Sequence, residues 1–165
     1  MIRVGEPAPD FELESDDGTP VRLEDLRGQR VILYFYPRDD TSGCTKEACG
    51  FRDHLRRLSG LDVTVLGVSP DGVESHRKFR DKYRLSFPLL SDPDHRVASA
   101  YGAWGKKKLY GREYEGILRS TFVIDPDGKV ERVYDKVKPA EHAARVLADL
   151  AAAADAEPPA DPADG

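Results

Sequence analysis

The chain has 165 residues, which suits a single domain large enough to bury a core without covalent staples. Hydrophobic residues make up 39% and charged residues 33%, the balance of a globular protein with a charged surface. The formal net charge of −5 disfavours a phosphate-seeking basic face, so nucleic acid is not an expected partner.

The longest apolar run, Val31–Tyr36, is far short of the roughly 20 residues a membrane helix needs. Residues 1–15 carry Glu6, Asp10, Glu12 and Glu14 and no apolar stretch, so neither an export signal nor a membrane anchor is expected. The expected compartment is the reducing cytoplasm. There, two cysteines are redox-active, metal-bound or inert rather than a structural bridge.

In chain order, residues 10–23 suggest a small hairpin around Asp16–Gly18. Val31–Tyr36 (VILYFY) is β-branched and aromatic and stops at Pro37, which predicts a buried central strand. Residues 42–58 have helical spacing. Val63–Val68 predicts a second buried strand, and Asp71–Tyr83 a polar helix with Asp71 as its N-cap. A short helix is expected over 95–101, and a solvated loop at Lys106–Lys108. Ser120–Ile124, the turn Asp125–Gly128 (DPDG) and Lys129–Val137 predict a hairpin. Pro139 fits the first position of a last helix carrying Val146, Leu147 and Leu150 inward. Residues 151–165 (AAAADAEPPADPADG) lack aromatic and β-branched residues. They are expected to be a frayed helix end and a disordered acidic Ala/Pro tail after a domain of 1–150. Strands alternating with helices predict an α/β sandwich with a central mixed sheet flanked by helices.

Residues 37–49 (PRDDTSGCTKEAC) follow the strongest strand and open a helix, the place where α/β folds hold ligands. Thr41 and Ser42 are good N-cap types. Cys44, Ala48, Phe51, Leu55 and Leu58 recur at helical spacing and form one inward stripe. Cys44 therefore lies in the first turn, where amides lack intrahelical partners and the dipole is positive; both favour the thiolate. Cys49 is five residues on, about 140° around the helix, with a Cα separation of roughly 8.5 Å. A disulfide spans at most about 7 Å, so the two thiols can bond only if the helix unwinds locally. His54, His76, His95 and His142 form no ligand-like pair with either cysteine, and C-x4-C is not a zinc spacing, so no metal is expected.

These residues resemble a known family. Pro37-x-x-x-Thr41-x-x-Cys44 is similar to the active-site motif of the peroxiredoxins, and a second cysteine five residues later resembles their Q-type subgroup, the bacterioferritin comigratory proteins. Tyr101–Gly105 and Gly116–Asp125 extend the likeness over residues 2–150. The resemblance implies a thioredoxin-like fold and a thiol peroxidase acting on hydrogen peroxide and organic hydroperoxides in antioxidant defence. It implies that Cys44 is the peroxidatic thiolate, Cys49 the resolving thiol, Thr41 a hydroxyl donor to thiolate and peroxide, and Pro37 a shield against water. Arg119 would be the fixed charge beside the sulfur. The implied cycle is that of an atypical 2-Cys enzyme, a sulfenic acid followed by a Cys44–Cys49 disulfide. Thioredoxin is the implied reductant, fed by NADPH and thioredoxin reductase. A monomer and no bound cofactor are also implied. Two other functions compete. A thioredoxin-type disulfide reductase calls for C-x2-C, which is absent. A non-enzymatic redox sensor would oxidise once without rapid turnover.

Overall fold

The computed structural model describes residues 1–156. The N-terminal segment forms the antiparallel pair β1 (Glu12–Glu14) and β2 (Pro20–Arg22), turning through Gly18 at φ +83°, with a single 3-10 turn after it. A positive φ is open to glycine at no steric cost, which is why the reversal falls there. The central layer is a five-stranded mixed sheet. Its strands are β3 (Arg30–Phe35), β4 (Val63–Ser69), β5 (Leu89–Ser91), β8 (Ser120–Ile124) and β9 (Val130–Tyr134), in the order β5-β4-β3-β8-β9. β3, β4 and β5 run parallel, while β8 is antiparallel to both β3 and β9.

β3 is buried on both sides, as its unbroken apolar run requires. Alternate side chains feed two core halves. Ile32, Tyr34 and Tyr36 face α1 (Ser42–Gly60), α2 (Val73–Tyr83) and α4 (Pro139–Ala156). Val31, Leu33 and Phe35 face the other half, with Tyr101 of α3 (Arg96–Tyr101) and Phe11 near the N terminus. The stripe on α1 lies as its spacing predicts: Cys44, Ala48, Phe51 and Leu58 are buried, and Leu55 packs against them half-buried. Pro139 opens α4, and Val146, Leu147 and Leu150 are buried.

Three sequence expectations are corrected. The stretch around Lys106–Lys108 is a hairpin, β6 (Trp104–Leu109) with β7 (Arg112–Ile117), not a solvated loop. Asp71 does not cap α2; Gly72 does, and the Asp71 carboxylate instead accepts from Ser69 Oγ at 2.8 Å and from the amide of Asp39 at 2.7 Å. The returning strand β9 ends at Tyr134, before Val137. The helix end expected after residue 150 is the last part of α4, which runs on to Ala156. Alanine has the highest helix propensity, and a docked helix extends through it readily. The rest of the expected tail, 157–165, lies outside the described residues.

Candidate active site

The register of the sheet assembles the site. β8 is antiparallel to β3, with Ser120 opposite Phe35. The residue before β8, Arg119, therefore lies beside the carboxyl end of β3, where residues 36–41 lead into α1. Thr41 is the N-cap residue of α1, in extended conformation, and its carbonyl takes the first helical bond, from Thr45 N at 2.8 Å. Cys44 is thus in the first turn, 1% exposed, among amides that have no intrahelical partner.

Arg119 Nη2 donates to Cys44 Sγ at 3.3 Å, and Nη1 donates to Glu47 Oε1 at 2.8 Å. The guanidinium therefore spans the sulfur and a carboxylate one helical turn apart on the same face of α1. Burial acts to weaken the Arg119 charge, but Glu47 and Cys44 outweigh it, and the net shift holds the guanidinium protonated. Glu47 is fully buried, and its second oxygen, Oε2, has no hydrogen-bond partner among the described residues. Burial pushes the Glu47 carboxyl up to about 7, against the pull of Arg119. Gly43 makes the close approach possible: a Cβ there would sit 3.2 Å from Arg119 Nη2 and 3.4 Å from Pro139 Cγ.

The other expected residues take different positions. Pro37 is half-buried directly after Tyr36. Thr41 is exposed, and its hydroxyl donates to the carbonyl of Arg38 at 2.9 Å, making neither a capping bond nor a bond to Cys44. Cys49 is half-buried, and both thiols are free within one continuous helix. Lys107 of β6 is half-buried with Nζ donating to Ile117 O at 2.8 Å; burial, and then Arg119, lower its basicity. An open depression of about 430 Å³, lined by Gly43, Lys46 and residues 137–141, adjoins the first turn of α1. Glu47 was missed from sequence, although a carboxylate three residues after Cys44 on an apolar stripe is a readable signal.

The sequence profile of the AhpC/TSA family matches residues 4–133. The chain belongs to this family. Its relatives include peroxiredoxin Bcp of Bacillus subtilis, 48% identical over 149 residues that cover 90% of this chain and 95% of that one. Peroxiredoxin Bcp of Escherichia coli K12 is 47% identical over 141 residues, covering 86% and 90%. Among solved structures, the bacterioferritin comigratory protein of Xanthomonas campestris superposes with a TM-score of 0.86 at 38% identity, covering 92% of this chain and 99% of that one. A PrxQ of Xylella fastidiosa gives 0.88 at 35%, covering 93% and 98%. The molecule is thus a Q-type peroxiredoxin with the thioredoxin-like fold: a peroxidase whose substrate is a peroxide and whose reductant is a thiol. Among the described residues of this peroxiredoxin, no helix is long and apolar enough to cross a membrane.

Proposed function

We propose that this peroxiredoxin reduces hydrogen peroxide and organic hydroperoxides through Cys44, with Cys49 as its resolving thiol. Alkyl peroxide reduction is the activity described for the Xanthomonas campestris relative, and it is extended here to this chain. The observation that carries the reading is the 3.3 Å contact from Arg119 to a thiol in the first turn of a helix.

In the first step the Cys44 thiolate attacks one peroxide oxygen. An S–O bond forms, the O–O bond breaks, and the other oxygen leaves with the electron pair and takes up a proton as water or alcohol. The developing charge is met by Arg119 and the free first-turn amides, donors aimed where the charge appears. In this reading Thr41 offers its hydroxyl after releasing the Arg38 carbonyl to which it now donates, and Pro37 limits water at the loop. In the second step the Cys49 sulfur attacks the Cys44 sulfenic acid; an S–S bond forms and water leaves. Thioredoxin then supplies a dithiol that takes over the oxidation, with NADPH and thioredoxin reductase upstream. The catalytic domain over residues 1–150 is proposed to act as a cytoplasmic monomer in antioxidant defence.

The test is peroxide-dependent NADPH consumption with thioredoxin and its reductase, run beside a glutaredoxin system. Rapid cycling with thioredoxin supports the reading. A single oxidation without turnover would instead indicate a sensor.

A further inference from the structure

The loop that carries the site is bonded to α2 up to one definite residue. The Asp39 side chain is 4% exposed and that of His76 on α2 is fully buried. Asp39 Oδ1 accepts from Tyr36 Oη at 2.6 Å; Oδ2 accepts from Ser75 Oγ at 2.8 Å and meets His76 Nδ1 at 2.7 Å. The second nitrogen of the same ring, Nε2, is 2.9 Å from the carbonyl of Leu90 on β5. The ring is thereby fixed between the loop and the sheet. The Asp39 amide donates to Asp71 Oδ2 at 2.7 Å. The next residue, Asp40, accepts from Lys82 Nζ at 2.7 Å and Tyr83 Oη at 2.6 Å, both on α2. Thr41 turns back to Arg38 O, and the first turn of α1 is held instead by Arg119 on Cys44 and Glu47.

The two holds respond differently to the reaction. Oxidation of Cys44 to a sulfenic acid replaces the bare sulfur that Arg119 contacts with an S–OH group, so that contact is disrupted and the hold on the first turn of α1 weakens. The bonds of Asp39 and Asp40 involve no reacting atom and are unchanged. We propose that Asp39 and His76 form a latch that keeps residues 37–40 on α2 while the first turns of α1 unwind. They are positioning residues for disulfide formation. The inference rests on the reading of Cys49 as the resolving thiol.

Anchoring one end has two consequences. It holds Pro37 and the N-cap in register with Cys44 in the reduced protein. It also restricts the freedom that α1 gains on unwinding, which keeps Cys44 within reach of Cys49. Releasing the latch should therefore slow the first oxidation, slow closure of the disulfide, and divert more Cys44 to sulfinic acid at a fixed excess of peroxide.

The experiment is hydrogen exchange with mass spectrometry on reduced and peroxide-oxidised protein. It compares wild type, Asp39→Asn, whose amide cannot accept from all the donors around it, and His76→Gln, which keeps the bonds of Asp39 to Tyr36 and Ser75. The expected result is that oxidation of the wild type speeds exchange over 42–52 while 38–40 stay protected. In the variants exchange over 38–40 rises about tenfold already in the reduced state, and the sulfinic fraction rises. Val130→Ala, in the other core half, controls for lost stability and should leave that fraction unchanged. The latch is overturned if wild-type oxidation frees 38–40 together with 42–52, or if the variants match wild type in both readouts. Absence of any change over 42–52 and of an internal disulfide would refute the resolving role of Cys49. The latch then stands or falls on the reduced state, where Asp39→Asn must still free 38–40 and slow peroxide oxidation of Cys44.

Discussion

Arg119 carries one positive charge between two acidic groups, the Cys44 thiol and the buried Glu47 carboxyl. In the proposed mechanism the sulfur is the nucleophile, so Cys44→Ser should abolish turnover in the NADPH-coupled assay; activity near that of wild type would remove Cys44 from the mechanism. Arg119→Ala removes a donor aimed at both the sulfur and the leaving oxygen. It should cost roughly 100–1,000-fold in the rate of the first oxidation, read by stopped flow. Arg119→Lys should recover little, since an ammonium cannot present two parallel donors to Cys44 and Glu47. Glu47 adds a pH dependence of definite sign. Burial raises its carboxyl to about 7 from an ordinary value of 4.5, so between these values the folded protein holds a proton that the unfolded chain releases. Its contribution to stability is complete below 4.5 and is lost as pH rises through 7. Glu47→Gln should therefore gain on wild type as pH rises across that window in urea denaturation; parallel curves would contradict it. Cys44 was legible in sequence because helix position and apolar spacing both marked it. The orientation of the Thr41 hydroxyl was not, because a bond to the Arg38 carbonyl depends on loop geometry that no local pattern encodes.

At the scale of elements, α1 joins the site to the core. Phe51 is fully buried and stacks on Tyr34 at 4.9 Å, with His142 of α4 edge-on at 5.8 Å. Phe51→Ala should cost about 3–5 kcal/mol in chemical denaturation, the range for emptying an aromatic site. Gly43→Ala is subtler. Alanine favours the helix, yet its Cβ would press on Arg119 Nη2. The expected result is unchanged or higher stability with several-fold slower peroxide reduction, measured on the same preparation. The elements legible in sequence are those whose patterns are strong on their own. β3 reads as one apolar run between Arg30 and Pro37, and α1 carries its stripe over four turns. The hairpin β6–β7 was hidden because it is a largely exposed two-stranded ribbon built on three consecutive lysines, buried only at its Ile117 end, so little apolar alternation marks it. β5 was hidden because its three residues join the sheet edge only through pairing with β4, a tertiary effect.

For the whole molecule, the antiparallel insertion of β8 beside β3 brings Arg119 onto the Cys44 sulfur from far away in sequence, while the two cysteines share a helix that keeps them apart. At roughly 8.5 Å between Cα atoms the thiols can meet only when that helix opens, so the proposed disulfide would couple oxidation to local unfolding. Cys49→Ser should separate the half-reactions. Cys44 would still react with the first equivalent of peroxide, and its sulfenic acid would be trapped by a dimedone-type reagent or pass to sulfinic acid. The most direct test is to treat the reduced wild type with one equivalent of peroxide and follow it by peptide mass spectrometry and amide exchange together. The account predicts a single intramolecular Cys44–Cys49 disulfide, with protection lost over residues 42–52. An oxidised protein that keeps full protection there, or that carries no bond between these two cysteines, would contradict it.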